Sequence, residues 1–347
     1  MRRALAAIAL GATILGACGG AAAPSASASP AAVASAAASA AASPSAAPFA
    51  LTAATPTTSS AFLWAYLAED SGIFKSNGLN VDLKYIRSTE AVTALIAGQI
   101  DVSLGAGSDV LNAAVNGGDL VVVAVPTPTY PFVFEVAPGI TKAADLKGKK
   151  IGVSSLGSSS DIATRVALKK LGLDPDTDVT IVAVGSAASR TAAAVSGAIQ
   201  GAVSLVPDDL VLEDKGWKPL VNLAELGLPA VQNTVTVRRD FLTAHRDVVQ
   251  RFIDSMVIAI ARAKKDKTAS LASLAKWSKL TDPRLAGAAY TMSTTTYPAL
   301  PYPTVALFAD SVSELSSKNP KVKGFDVSKI IDGSFVKSAA DRGLDKR

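Results

Sequence analysis

From residue 49 onward, strand-like and helix-like patterns alternate along the chain, and this alternation restricts it to an α/β fold. Phe49-Ala50-Leu51-Thr52-Ala53 reads as a short strand. Thr57-Thr58-Ser59-Ser60 then leads into an apolar helix at 61–69. Residues 79–85 alternate apolar and polar side chains, as a half-buried strand does. A helix at 89–98, a buried strand at 100–104, a helix at 109–115 and a continuous apolar strand at 120–125 complete the first run.

Pro126-Thr127-Pro128-Thr129-Tyr130-Pro131 interrupts the pattern and fixes an extended segment. The alternation then restarts. Strands are predicted at 132–136, 150–153, 179–184 and 202–206, with helices at about 159–172, 187–198 and 207–215. Residues 234–237 read as a strand returning from this block, and helices follow at about 247–264, 268–280, 283–291 and 304–317. About 300 residues suffice for two lobes. The simplest partition gives one lobe at 49–126 plus 236–347 and an inserted lobe at 131–230. Crossings are expected at 127–130 and 229–235.

The leader has its own logic. Arg2 and Arg3 precede an apolar run from Ala4 to Leu15, followed by small residues, which is the pattern of a secretory signal peptide. The run is shorter than the roughly 20 residues a spanning helix needs. Cys18, the single cysteine, directly follows Leu15-Gly16-Ala17 and resembles the lipobox of bacterial lipoproteins. That resemblance implies removal of residues 1–17, diacylglycerol on Cys18, and a place outside the cytoplasm, anchored to the outer face of the membrane. The general and twin-arginine export routes both stay open. Residues 19–48 hold Gly, Ala, Ser, Pro and one Val, without charge or aromatic, and are expected to form a disordered tether.

Formal net charge is +5, and its lysine pairs are scattered with no basic stripe interleaved with aromatics, which argues against nucleic-acid binding. The only histidine, His245, lies in a charged helical segment. No metal-ligand spacing and no P-loop is present, so neither metal nor cofactor is expected.

Several segments, taken in order, resemble one family. Ala65-Tyr66-Leu67-Ala68-Glu69-Asp70-Ser71-Gly72-Ile73-Phe74, then Asn77-Gly78-Leu79-Asn80-Val81, fit its opening. Residues 90–102 fit "E-A-V-x-A-L-x-A-G-x-I-D-V", and Asp145-Leu146-Lys147-Gly148-Lys149-Lys150-Ile151-Gly152-Val153 fits "D-L-K-G-K-x-I-G-V". Gly172-Leu173-Asp174 and residues 192–203 also fit. The chain thereby resembles the substrate-binding proteins of ABC importers for nitrate, sulfonate, taurine and thiamine-precursor-like solutes. The resemblance implies a type II, two-lobed periplasmic-binding-protein fold, each lobe a mostly parallel sheet flanked by helices, closing as a monomer on one small molecule. It also implies a membrane permease and its ATPase as partners. Gly72, Gly78 and Gly148 read as turn residues and not as ligand contacts.

Ligands of open α/β sheets lie beyond the carboxyl ends of strands, at helix N-termini. Four such places are rich in small polar residues: Thr57-Thr58-Ser59-Ser60, Gly105-Ala106-Gly107-Ser108, Gly157-Ser158-Ser159-Ser160-Asp161 and Gly185-Ser186. Backbone N–H groups and the positive helix end favour an anionic or electronegative group there. Ser60, Ser108 and Ser159 equally read as helix caps. Arg87 and Arg190 are the charged candidates for pairing with a carboxylate, sulfonate or phosphate. Asp208 reads either as a cap or as an acceptor from the ligand. Tyr130, in the proline-rich crossing, is a candidate cover. Phe62, Trp64 and Tyr66 lie near the same strand ends, and the segment from Tyr297 to Pro303 has no assigned role. A non-catalytic binding protein is the expected function. An enzyme on the same fold, related to pyrimidine-precursor synthesis, and an extracytoplasmic solute sensor are the alternatives.

Overall fold

The structure, a computed structural model, describes residues 47–347. The expected signal peptide, Cys18 and nearly all of the tether lie outside the described residues. Among those described, no helix is long and apolar enough to cross a membrane.

Ten strands form two five-stranded sheets. The first sheet has the order β2-β1-β3-β10-β4, built from β1 (Phe49–Thr55), β2 (Leu79–Tyr85), β3 (Val102–Ser103), β4 (Leu120–Thr129) and β10 (Pro229–Arg238). The second has the order β7-β6-β8-β5-β9. Its strands are β5 (Val133–Val136), β6 (Lys150–Val153), β7 (Thr180–Ala183), β8 (Gly201–Ser204) and β9 (Lys218–Asn222). In each sheet four strands run one way and one runs against them. The reversed strand is β10 in the first sheet and β5 in the second. Each reversed strand is the first to enter its sheet from the other one, so the two sheets repeat one topology.

Helices fill the connections: α1 (Leu63–Asp70), α2 (Ile73–Ser76), α3 (Ser88–Ile96) and α4 (Gly107–Val115) in the first sheet, then α5 (Ser159–Lys170), α6 (Ala187–Val195), α7 (Asp208–Glu213) and α8 (Leu223–Leu226) in the second. After β10 come α9 (Arg239–Ala244), α10 (Arg246–Lys265), α11 (Lys267–Trp277), α12 (Pro283–Thr296), α13 (Ala309–Ser316) and α14 (Ser334–Asp341). The apolar stripe of α10 explains its place. Val249, Phe252, Ile253, Met256 and Ile260 recur at helical spacing and are all buried. Phe252 meets Trp64 of α1 edge to face at 6.0 Å and stacks on Phe74 of α2 at 5.4 Å.

The proline run does not end β4. Thr127 and Thr129 pair with Asn233 and Pro229 of β10, so the residues expected at the crossings form a two-stranded ribbon. Pro126 and Pro128 alternate with these paired threonines and leave the pairing intact. Strand β9 was not foreseen, because an edge strand with one partner and an internal Pro219 carries a weak pattern. Helix α14 was not foreseen either; its apolar side packs on α10 and β4.

Helix α13 packs on α4 from one side and α5 from the other. Glu314 of α13 pairs with Lys169 of α5, and Lys318 reaches the buried Asp161 at 3.4 Å. The C-terminal segment thus backs both sheets.

Candidate functional site

A cavity of about 330 Å³ lies where strand ends of the two sheets face each other. The β1–α1 connection brings Thr57, Ser59 and Phe62 to it, and the β2–α3 connection brings Tyr85, Arg87 and Glu90. The β6–α5 connection brings Ser154, Ser155 and Ser158 to Ser160, and the β7–α6 connection brings Ser186 and Arg190. Phe132 comes from just before β5, and Gln232 and Asn233 from β10.

Of the residues singled out by sequence, the structure gathers Thr57, Ser59, Arg87, Ser158, Ser159, Ser160, Ser186 and Arg190 around this cavity. Thr58 is exposed and is not among the lining residues. Ser60 is buried behind the lining, its hydroxyl 3.5 Å from the Val206 carbonyl. Gly107 is pressed against Val231, where a Cβ would lie 2.2 Å from a valine methyl. Ser108 is buried beside it in the first turn of α4. Tyr130 is not among the lining residues: it is buried and donates to Asp310 at 3.1 Å. Asp208 lies behind Arg190 and accepts from the Thr191 hydroxyl at 3.1 Å.

The caps hold the serine clusters in place. Ser158 caps α5 by accepting from the Asp161 N–H at 3.4 Å, and its hydroxyl donates to the Ser155 carbonyl at 2.7 Å. Ser160 accepts from the Ser154 N–H at 2.9 Å. Ser186 caps α6 by accepting from the Ser189 N–H at 3.2 Å. Capping and lining therefore coincide at Ser158 and Ser186. Asp161 in the first turn of α5 is fully buried and ties the loop down, accepting from the Gly157 N–H at 2.7 Å and from Arg165 at 3.0 Å.

Arg190 dominates the charge. It is 5% exposed, and its guanidinium donates to the Ser154 hydroxyl and, at 3.4 Å, to the Val203 carbonyl. Among the described residues it has no ion-pair partner within contact distance. Burial pushes its pKa down to about 10, with Asp208 opposing that shift from behind. The positive ends of α5 and α6 flank the same place. Arg87 behaves differently: it is exposed and already paired with Glu90 in the first turn of α3. Phe62, Phe132 and Pro131 add an apolar wall. The cavity thus combines a buried cation and hydroxyl donors with apolar side chains.

Sequence reading missed Ser154, Tyr85, Phe132, Gln232 and Asn233. Ser154 follows β6 directly and Gln232 lies inside β10, so neither carries the loop signal that marked the serine clusters. The segment from Tyr297 to Pro303 also has a role. Tyr297 and Ser293 of α12 donate to the carbonyls of Ser60 and Ala61 and so hold the turn that carries Ser59 and Phe62. His245 packs against Phe49 and Phe241, with ring centroids 5.1 and 4.9 Å away.

A model of the family described as "NMT1/THI5 like" matches residues 59–269. A provisionally named binding protein of Brucella abortus (strain 2308) is 34% identical over 118 residues, 33% of this chain and 35% of that protein. The chain thus matches about a third of the length of the curated relatives. Among solved structures, the periplasmic aliphatic sulphonate binding protein SsuA from Escherichia coli superposes with a TM-score of 0.67 at 22% identity, covering 82% of this chain and 92% of that one. The desulfurization enzyme DSZB superposes with a TM-score of 0.63 at 19% identity, covering 85% and 99%. At such identities these likenesses establish the fold, the two-lobed α/β fold of periplasmic binding proteins.

Proposed function

We propose that this chain, which belongs to the NMT1/THI5-like family, is the solute-binding component of an importer and carries a small organic anion in the cavity described above. One observation carries the reading: Arg190 is buried at the cavity, held by neutral acceptors, and free of any ion-pair partner among the described residues. A buried cation with no counter-ion in direct contact is costly. A solute carboxylate, sulfonate or phosphate would supply the counter-ion. Serine hydroxyls and the N-termini of α5 and α6 would donate to its remaining oxygens. Phe62 and Phe132 would cover an apolar remainder.

Both sheets line the cavity, so a bound solute would favour the closed arrangement by the contacts it makes to both. Residues 127–130 and 229–235, paired as a ribbon, would act as the hinge. The SsuA likeness makes sulfonates the first solutes to try. In this reading the protein is a monomer outside the cytoplasm, held by lipid on Cys18 and a tether to residue 48, and hands its solute to a permease driven by an ATPase. The likeness to a desulfurization enzyme is one of fold and adds no second reading.

Thermal melts of the protein against alkanesulfonates, taurine, nitrate, aromatic carboxylates and pyrimidine phosphates test the proposal. A ligand of the native state raises the melting temperature. At least one anion is expected to do so. A response confined to neutral or cationic solutes would defeat the proposal.

A further inference from the structure

The Glu135 side chain, on β5 in the middle of the second sheet's reversed pairing, is 0% exposed. Neither of its carboxyl oxygens has a hydrogen-bond partner among the described residues. The Ser204 hydroxyl favours its ionised form, and the acids of α7 oppose it. Helix α7 presents Asp208, Asp209 and Glu213. Strand β8 brings the Ser204 hydroxyl close, outside bonding geometry. In β9, Pro219 lies opposite Glu135, and neighbouring Lys218 is exposed to solvent. In α8, exposed Glu225 is bonded to Asn222. Arg190 of α6 faces Asp208 on the other flank of α7. Burial, with the negative charges of Asp209, Glu213 and Asp208, pushes the Glu135 pKa up to about 8 against the opposing Ser204 hydroxyl.

The flanks of α7 touch the first sheet's elements. The Val206 carbonyl, two residues before α7, lies 3.5 Å from the Ser60 hydroxyl, next to the cavity turn. Asp214, directly after α7, pairs with Arg284 of α12 at 2.5 Å. Helix α7 is six residues long, and contacts to the first sheet's elements lie on both of its flanks.

We propose that Glu135 is a proton-operated brace under α7: protonated, it lets α7 lie in its closed seat, and ionised, it drives α7 away and releases the contacts to Ser60 and Arg284. The driving force is an unpaired buried carboxylate beside three others, which the fold relieves by moving the short helix that carries those three. The same movement shifts Asp208 relative to Arg190 and so changes the charge behind the anion end of the cavity. The proposal rests on reading the cavity as one that opens and closes, and its test uses no solute.

Spin labels at Lys75→Cys on α2 and Ser196→Cys after α6, in the full chain with Cys18→Ser, report the separation of the two sheets' shells. One short-distance population is expected at about pH 6, and a longer one should grow in by about pH 9. In Glu135→Gln the short population should persist at both pH values, and Glu135→Leu serves the same purpose if the glutamine form folds poorly. A wild-type distribution unchanged with pH overturns the proposal, and so does an equal pH response in the variants. Failure of solute binding with a clear pH response would count against the transport reading alone.

Discussion

Tyr297, fully enclosed between α12 and α1, donates its hydroxyl to the carbonyl of Ala61 at 2.9 Å. It also reaches the Ser60 carbonyl at 3.3 Å, where Ser293 donates at 2.7 Å. A turn of the candidate site is thus held from the core by a residue more than 230 positions away in sequence. Tyr297→Phe keeps the ring and removes the donor. Loss of one buried hydrogen bond should cost about 1–2 kcal/mol in urea unfolding, and solute affinity should fall because Phe62 and Ser59 ride on this turn. Unchanged stability and affinity would show that Ser293 alone suffices.

Gly107 was expected at the ligand because it lies in a small polar cluster at a helix N-terminus. The neighbour it meets is instead Val231: a Cβ at 107 would lie 2.2–2.8 Å from three valine carbons. Gly107→Ala should therefore destabilise by about 1–3 kcal/mol through overpacking. Val231→Ala in the same chain should recover part of the loss in the same unfolding experiment.

Asp161 sits at the centre of a buried network, with Arg165 at 3.0 Å, Lys318 at 3.4 Å and the Gly157 N–H at 2.7 Å. Asp161→Ala leaves Arg165, itself buried, with Asp176 as its remaining ion-pair partner among the described residues. A loss of about 3–5 kcal/mol is expected for such a break. The loop with Ser154, Ser155 and Ser158 should loosen, visible as faster amide exchange from Ser154 to Ser160. Protection equal to that of the parent would contradict the role given to Asp161.

Burial raises the Glu135 pKa from 4.5 to about 8. The folded chain therefore keeps this proton over a range in which the unfolded chain has lost it. Its stabilising effect is full below about pH 4, declines as pH rises towards 8, and is gone above that. The limiting slope is about 1.4 kcal/mol per pH unit. Glu135→Gln should flatten that part of the pH–stability profile, and at about pH 9 should be more stable than the parent. An unaltered profile would show that Glu135 ionises without resistance.

Alternation of patterns revealed both sheets, because buried parallel strands are short apolar runs and their connecting helices carry a 3.6 period. Strands β5 and β10 were expected as strands, at 132–136 and 234–237, but their reversed direction was hidden, as was the edge strand β9, since direction and pairing are set by the partner and not by the strand's own residues. For the site, capping chemistry was the usable signal. Serines that cap α5 and α6 also line the cavity, so Ser158 and Ser186 could be found from their spacing. Tyr130 and Asp208 could not be placed that way: both sit one layer behind the lining, and their partners, Asp310 and Thr191, are assigned only by tertiary packing. Ser154 was missed because its value lies in orienting Arg190, a contact across 36 residues.

The central claim is that Arg190 grips an organic anion. Calorimetric titration of the parent and of Arg190→Ala with the anion that most raises the melting temperature tests it most directly. The account predicts saturable binding to the parent and at least about tenfold weaker binding to the variant, a loss of about 1.4 kcal/mol or more. Equal affinity in the two proteins would contradict it.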